Sequence, residues 1–132
     1  MNARARAGAF VPSSVCSDLE ILLVEDEAIV ALMVEELLGR LGCAAVWHAS
    51  TIAQAMAALD RKRPAVAVLD VNLDGDLVYP LAERLHSLSI PFVFATGYER
   101  DAIPERWRDR PCIQKPIEPE ALAAALHAAL AP

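Results

Sequence analysis

Aromatic residues are scarce in this chain. Phe, Trp and Tyr make up 5% of 132 residues, although 55% of the chain is hydrophobic. A core must therefore be assembled from Ala, Val, Leu and Ile. Basic residues are few as well. Arg4 and Arg6 lie in residues 1–17, which hold no acid, and the other 10 basic residues face 18 acidic ones. That balance excludes a basic nucleic-acid-binding surface. No apolar run approaches the roughly 18 residues that a membrane span requires. The N-terminus also lacks the apolar segment of a secretory signal. Cys16, Cys43 and Cys112 are odd in number and form no CxxC pair. This argues against zinc and favours unpaired thiols in a reducing compartment.

What is present is an alternation of short apolar runs and helical patterns. Residues 1–17 have no periodicity and read as a flexible N-terminal extension. The remainder, 18–132, has room for one domain. Five runs read as strands: LEILLV (19–24), AAVWHA (44–49), PAVAVLD (64–70), PFVFAT (91–96) and PCIQ (111–114). Helices are expected over 27–41, with Val30, Met33, Val34, Leu37, Leu38 and Leu41 forming the apolar stripe and Gly42 ending it. Others are expected from a Ser50 or Thr51 cap to about Arg63, from about Leu77 to Leu88, and over 118–130. Pro104 and Pro111 confine any helix in 97–110 to one or two turns. This alternation predicts an α/β fold with a parallel sheet covered on both faces. In such sheets ligands bind beyond the carboxyl ends of the strands.

Four of the runs end in polar groups of matching chemistry: Glu25-Asp26, Asp70, Thr96 and Lys115. Hard carboxylate oxygens at a cleft mouth suit Mg²⁺. Asp70 can be both ligand and nucleophile, because a carboxylate can accept a phosphoryl group as an acyl phosphate. Lys115 and the Thr96 hydroxyl would neutralise the phosphoryl oxygens. Each residue alone has a plainer reading: an Asp after a strand is commonly a turn residue, and Glu25-Asp26-Glu27 could complement a helix dipole. Their joint placement at four strand ends favours a site.

LLVEDE, VLDVNLDGD, FATGY and QKPI match, in order and spacing, the motifs of the receiver domain of two-component response regulators, which residues 18–131 resemble. The resemblance implies a doubly wound, flavodoxin-like five-stranded parallel sheet of order 2-1-3-4-5. It implies that Asp26, Asp70 and the backbone carbonyl of Asn72 bind Mg²⁺, with Glu25 acting through water. Asp70 would be phosphorylated by a histidine kinase or phosphotransfer protein, Thr96 would swing towards the phosphoryl group, and Lys115, followed by a cis peptide to Pro116, would pair with it. FATGY, with DVNL and VYPLA, is similar to an alphaproteobacterial subgroup with a Phe-Ala-Thr-Gly signature. One departure stands out: Cys112 occupies the place where most receivers carry Tyr or Phe. Tyr98 could take that role, although Glu99 stands where the subgroup often has Tyr.

Partner contacts are expected at Ile29, Val30 and Met33 on the first helix, and at Gly97, Tyr98 and Cys112 near the site. His48, His86 and His127 read as structural, and Trp47 and Trp107 as packing residues. The expected function is a cytoplasmic single-domain response regulator, a phosphoacceptor rather than an enzyme. The last helix uses the chain up to Ala131, so output is expected through an unidentified downstream protein or as a phosphate sink or relay, with residues 97–112 easily moved. Homodimer formation stays open. A receiver detached from a hybrid histidine kinase would look similar. A haloacid-dehalogenase-like phosphatase is disfavoured, because such enzymes need an acid/base Asp where this chain has Asn72.

Overall fold

The computed structural model describes residues 18–97 and 102–131. In chain order these form β1 (Glu20–Val24), α1 (Ala28–Arg40), β2 (Ala45–Ala49), α2 (Ile52–Arg61), β3 (Val66–Asp70), the short strands β4 (Asn72–Leu73) and β5 (Asp76–Leu77), and α3 (Tyr79–Ser87). β6 (Phe92–Thr96), a 3-10 turn at Glu105–Trp107, β7 (Cys112–Gln114) and α4 (Pro119–Leu130) complete the domain. The main sheet has the order β2-β1-β3-β6-β7 and every pairing in it is parallel. This is the expected 2-1-3-4-5 arrangement, with two extra short strands interposed in the count.

The central strands are apolar on both sides because both faces are covered. Leu22, Leu69, Phe92 and Phe94 point to the layer of α2, α3 and the 3-10 turn. Ile21, Leu23, Val68 and Val93 point to the layer of α1 and α4. Gly42, at φ 89°, lets the chain turn out of α1. The Cys43 and Gly42 amides there donate to the carbonyls of Leu38 and Gly39 at 3.2 and 3.0 Å, a glycine-terminated helix end. Thr51 caps α2, its hydroxyl accepting the Gln54 amide at 3.1 Å.

Three expectations need correction. The buried stripe of α1 is Ala31, Val34 and Leu38. Met33, placed in that stripe from its spacing, is 55% exposed, beside Ile29 at 73% and Leu32 at 65%. With Ala31, Val34 and Leu38 turned to the sheet, Ile29, Leu32 and Met33 fall on the outer side of the helix. The expectation of unpaired thiols fails at Cys43, which is disulfide-bonded, so the cysteine count no longer argues for a reducing compartment. The third concerns Leu77, expected at the start of a helix: α3 begins at Tyr79, and residues 72–77 form an antiparallel hairpin pairing Asn72 with Leu77 and Leu73 with Asp76. Asp74 and Gly75 make its two-residue turn at φ 54° and 95°, the positive-φ geometry for which Asp-Gly is suited. The Asn72 side-chain carbonyl accepts the Gly75 amide at 2.7 Å.

A Cβ at Gly75 would meet no atom within 4 Å, so only its backbone conformation resists substitution. Gly75→Ala should therefore destabilise the domain by about 1–2 kcal/mol, read from urea unfolding midpoints. An unchanged midpoint would show that the turn does not need glycine.

Candidate functional site

The site is assembled where β1, β3, β6 and β7 end along one edge of the sheet. The register places Asp70 beside Ala95 and Thr96 beside Gln114. The ladder then continues one step, the Lys115 amide donating to the Thr96 carbonyl at 2.9 Å. Lys115 precedes Pro116 through a cis peptide bond. On the other side, the Glu25 amide extends the β1–β2 ladder to the Ala49 carbonyl at 3.0 Å. Thus Glu25, Asp70, Thr96 and Lys115 converge as expected.

Lys115 organises the charges. Its Nζ donates to Glu25 Oε1 at 3.0 Å and reaches Asp70 Oδ2 at 3.2 Å. Both carboxylates are nearly sealed, Glu25 at 2% and Asp70 at 7% exposure, so an opposite charge between them offsets the loss of water. The second Glu25 oxygen, Oε2, accepts the Glu27 amide at 3.1 Å. Burial, followed by the charge of Glu25, pushes the Asp70 carboxyl up to about 7, against Lys115 and the Asn72 amide, which favour ionisation. Burial works to lower the Lys115 ammonium, but its contacts with Glu25 and Asp70 outweigh this and hold it above its ordinary value.

Glu25, Asp26 and Asp70 present oxygens that all lie within 4.8 Å of one another. Hard, negatively charged oxygens at this spacing fit a divalent cation such as Mg²⁺. Both Glu25 oxygens are engaged at 3.0 and 3.1 Å, whereas the Asp70 contacts are longer, at 3.2 and 3.4 Å, so Asp26 and Asp70 are the better placed direct donors. Asn72 and Gly97 line the same open cavity. A Cβ at Gly97 would meet nothing within 4 Å, so the cavity mouth is unobstructed there. Thr96 is buried at the end of β6.

Not every candidate residue lies at this edge. Ile29, Val30 and Met33 lie along α1; Val30 and Met33 line an apolar groove with Val34, Leu37, Pro116 and Ile117 that also touches Lys115. Cys112 opens β7, half-buried opposite Phe94. Tyr98 lies outside the described residues. His48, read only as structural, sits beside the acidic loop, its Nε2 2.8 Å from the Glu25 carbonyl oxygen. Its position one residue before the end of β2, at the same sheet edge, was the available signal.

Residues 21–127 match the family described as the response regulator receiver domain. The chain belongs to that family. Among curated proteins it is similar to the phyllosphere-induced regulator PhyR of Methylorubrum extorquens, with 33% identity over 115 residues. That match covers 84% of this chain but 43% of PhyR, so the chain spans less than half of that relative's length. The solution structure of SdrG from Sphingomonas melonis Fr1 is 40% identical, with a TM-score of 0.73, covering 89% of this chain and 98% of that one. A BeF3-activated conformation of SdrG, from Pseudomonas melonis Fr1, is 42% identical with a TM-score of 0.75, covering 87% and 99%. The receiver fold and the Phe-Ala-Thr-Gly resemblance are thus in agreement with the relatives. No helix among the described residues is long and apolar enough to cross a membrane.

The raised Asp70 value has a definite sign. A carboxyl that ionises near 7 when folded and near 3.8 when unfolded contributes stability below about pH 4, and this is lost as pH rises through about 7. Without divalent cations, Asp70→Asn should therefore gain on the natural protein as pH rises from 5 to 8, by on the order of 2 kcal/mol once the lost Lys115 contact is offset. Mg²⁺ at ten times its Kd should stabilise the natural protein by about 1.4 kcal/mol and Asp70→Asn by less. Thermal melts across pH and Mg²⁺ concentration check both; parallel pH profiles for the two proteins would rule out the Asp70 account.

Proposed function

We propose that this receiver, comprising residues 18–132, accepts a phosphoryl group on Asp70 from a histidine kinase or phosphotransfer protein. An Asp70 carboxylate oxygen attacks phosphorus, the phosphorus–nitrogen bond of the donor phosphohistidine breaks, and the imidazole leaves. Lys115 and Thr96 stabilise charge on the transferred oxygens, with Asp26, Asp70 and the Asn72 carbonyl as Mg²⁺ ligands and Glu25 acting through water. Bound Mg²⁺ would supply further neutralisation of the phosphoryl charge. The observation that carries this reading is Asp70 at the floor of an open cavity, one oxygen 3.2 Å from the Lys115 ammonium.

The new charge of roughly −1.5 to −2 would signal through contact with a downstream protein, or the domain would act as a phosphate sink or relay. A cytoplasmic location follows from this reading, since its phosphodonors act there. The groove beside α1 supports docking of the donor on Val30 and Met33, because it shares Lys115 with the site, and Ile29 is exposed on the same helix. A phosphatase reading is weaker. The Asn72 carboxamide is tied into the hairpin turn by the Gly75 amide at 2.7 Å, and a carboxamide cannot shuttle the proton that turnover needs.

Incubation with radiolabelled acetyl phosphate and Mg²⁺ should label the natural protein and leave Asp70→Asn unlabelled. Labelling of the variant at the natural rate would remove Asp70 as acceptor. The combined variant Ile29→Ser, Met33→Ser should keep its acetyl phosphate labelling but receive phosphate from its kinase at least tenfold more slowly. Equal rates from the kinase would remove α1 as the docking face.

A further inference from the structure

Cys43 is disulfide-bonded, and the sheet limits which sulfur can be its partner. The chain has three cysteines, Cys16, Cys43 and Cys112. Cys43 is half-buried just before β2 and packs, like Leu19, against the cluster containing Ile21, Leu38 and Leu41. Cys112 opens β7 and packs on the opposite side of the sheet. β2 and β7 are the two edges of the five-stranded sheet, four strand spacings or about 19 Å apart. A disulfide joins Cα atoms within about 7 Å of each other. Cys112 is therefore out of range, which leaves Cys16.

The start of β1 puts Cys16 within reach. The Ala44 amide donates to the Leu19 carbonyl at 2.8 Å, and Glu20 is the register partner of Ala45. Cys43 is thus one residue from a backbone contact with Leu19, and Cys16 precedes Leu19 by three residues. Three residues span at most about 10 Å, and Asp18, at φ 67°, bends the chain within that span. This end of the sheet is remote from the acceptor. Glu25 lies past the other end of β2, bonded to the Ala49 carbonyl.

We infer that Cys16 and Cys43 form a reversible disulfide that staples β1 and α1, the unit carrying Glu25, Asp26 and the exposed Ile29 and Met33. The loop from Cys16 to Cys43 contains 28 residues and encloses both elements. Closing such a loop removes conformations from the unfolded chain, so the oxidised domain is the more stable form. Reversibility rests on the cytoplasmic setting of the proposed function, where thiols are kept reduced and a disulfide serves redox sensing. The pairing itself does not depend on that reading.

The exchange needs only a small disulfide such as oxidised glutathione. The Cys43 thiolate attacks one of its sulfurs and expels one glutathione thiolate, leaving a mixed disulfide. The Cys16 thiolate then attacks the Cys43 sulfur and expels the second. Two protein thiols are oxidised, and one glutathione disulfide is reduced to two thiols. Half-burial of Cys43 leaves its sulfur open to such small reagents.

Trypsin places the three cysteines in separate peptides, 7–40, 41–61 and 109–132. Protein equilibrated with oxidised glutathione, alkylated and digested without reductant should yield 7–40 joined to 41–61, read by mass spectrometry. Peptide 109–132 in either place, or no joined peptide, overturns the pairing. The oxidised protein should melt at least about 5 °C above the reduced one. Cys16→Ser should abolish that difference and Cys112→Ser should keep it, whereas equal melting of the two natural redox forms overturns the staple. Millimolar reduced glutathione should open the bond; a bond that survives it overturns the reversible role. Acetyl phosphate labelling of both redox forms tests the acceptor separately. Loss of label from both would remove the phosphoacceptor reading while leaving the joined peptide as evidence for the pairing.

Discussion

The ammonium of Lys115 is the contact on which the site depends. Two carboxylates, Glu25 and Asp70, are buried near each other, and one cation between them makes their coexistence tolerable. The chain has only two lysines, and Lys62 is engaged elsewhere, with Glu20 at 2.9 Å. Lys115 reaches its position because β7 ends one step beyond β6, a consequence of parallel register. Sheet geometry and site electrostatics are therefore one constraint: moving β7 by a residue would leave both acids without their counter-charge.

The same edge separates two kinds of attachment. Glu25 is fixed on several sides, through its amide to Ala49, its carbonyl beside His48, and its carboxylate to Lys115 and the Glu27 amide. Asp70 has fewer such ties. Its link to the Asn72 amide is long, at 3.4 Å, and its other oxygen faces the Lys115 ammonium at 3.2 Å. The Asp70 carboxylate is thus the more loosely tied of the two, while its neighbour holds the frame.

Much of this was legible in the residues. Apolar runs ending in Glu25-Asp26, Asp70, Thr96 and Lys115 indicated the sheet edge, because strand direction and right-handed crossovers leave little choice of topology. Gly42 and Thr51 marked helix ends by local chemistry that tertiary packing did not override. Other features were hidden for physical reasons. Met33 has helical spacing suited to burial, but which side of the helix meets the sheet is set by tertiary packing, which periodicity does not encode. The ring contacts among Tyr79, Phe94, Phe92 and Trp107 join α3, β6 and the 3-10 turn, so no sequence interval contains them. The 72–77 hairpin was visible in Asp74-Gly75 but was obscured by its two-residue strands.

That hairpin bears on the order in which the domain can assemble. All four ladders of the main sheet are parallel, so each joins strands separated by a crossover and must await closure of a long loop. Asn72 to Leu77 is the only pairing among the described residues that a few consecutive residues can make alone. Two-residue strands are too short to persist in isolation, but their turn is biased towards its final shape in the unfolded chain. The loop after Asp70 is thus encoded locally, and when β3 finds its neighbours the residues flanking the acceptor carboxylate have little left to search.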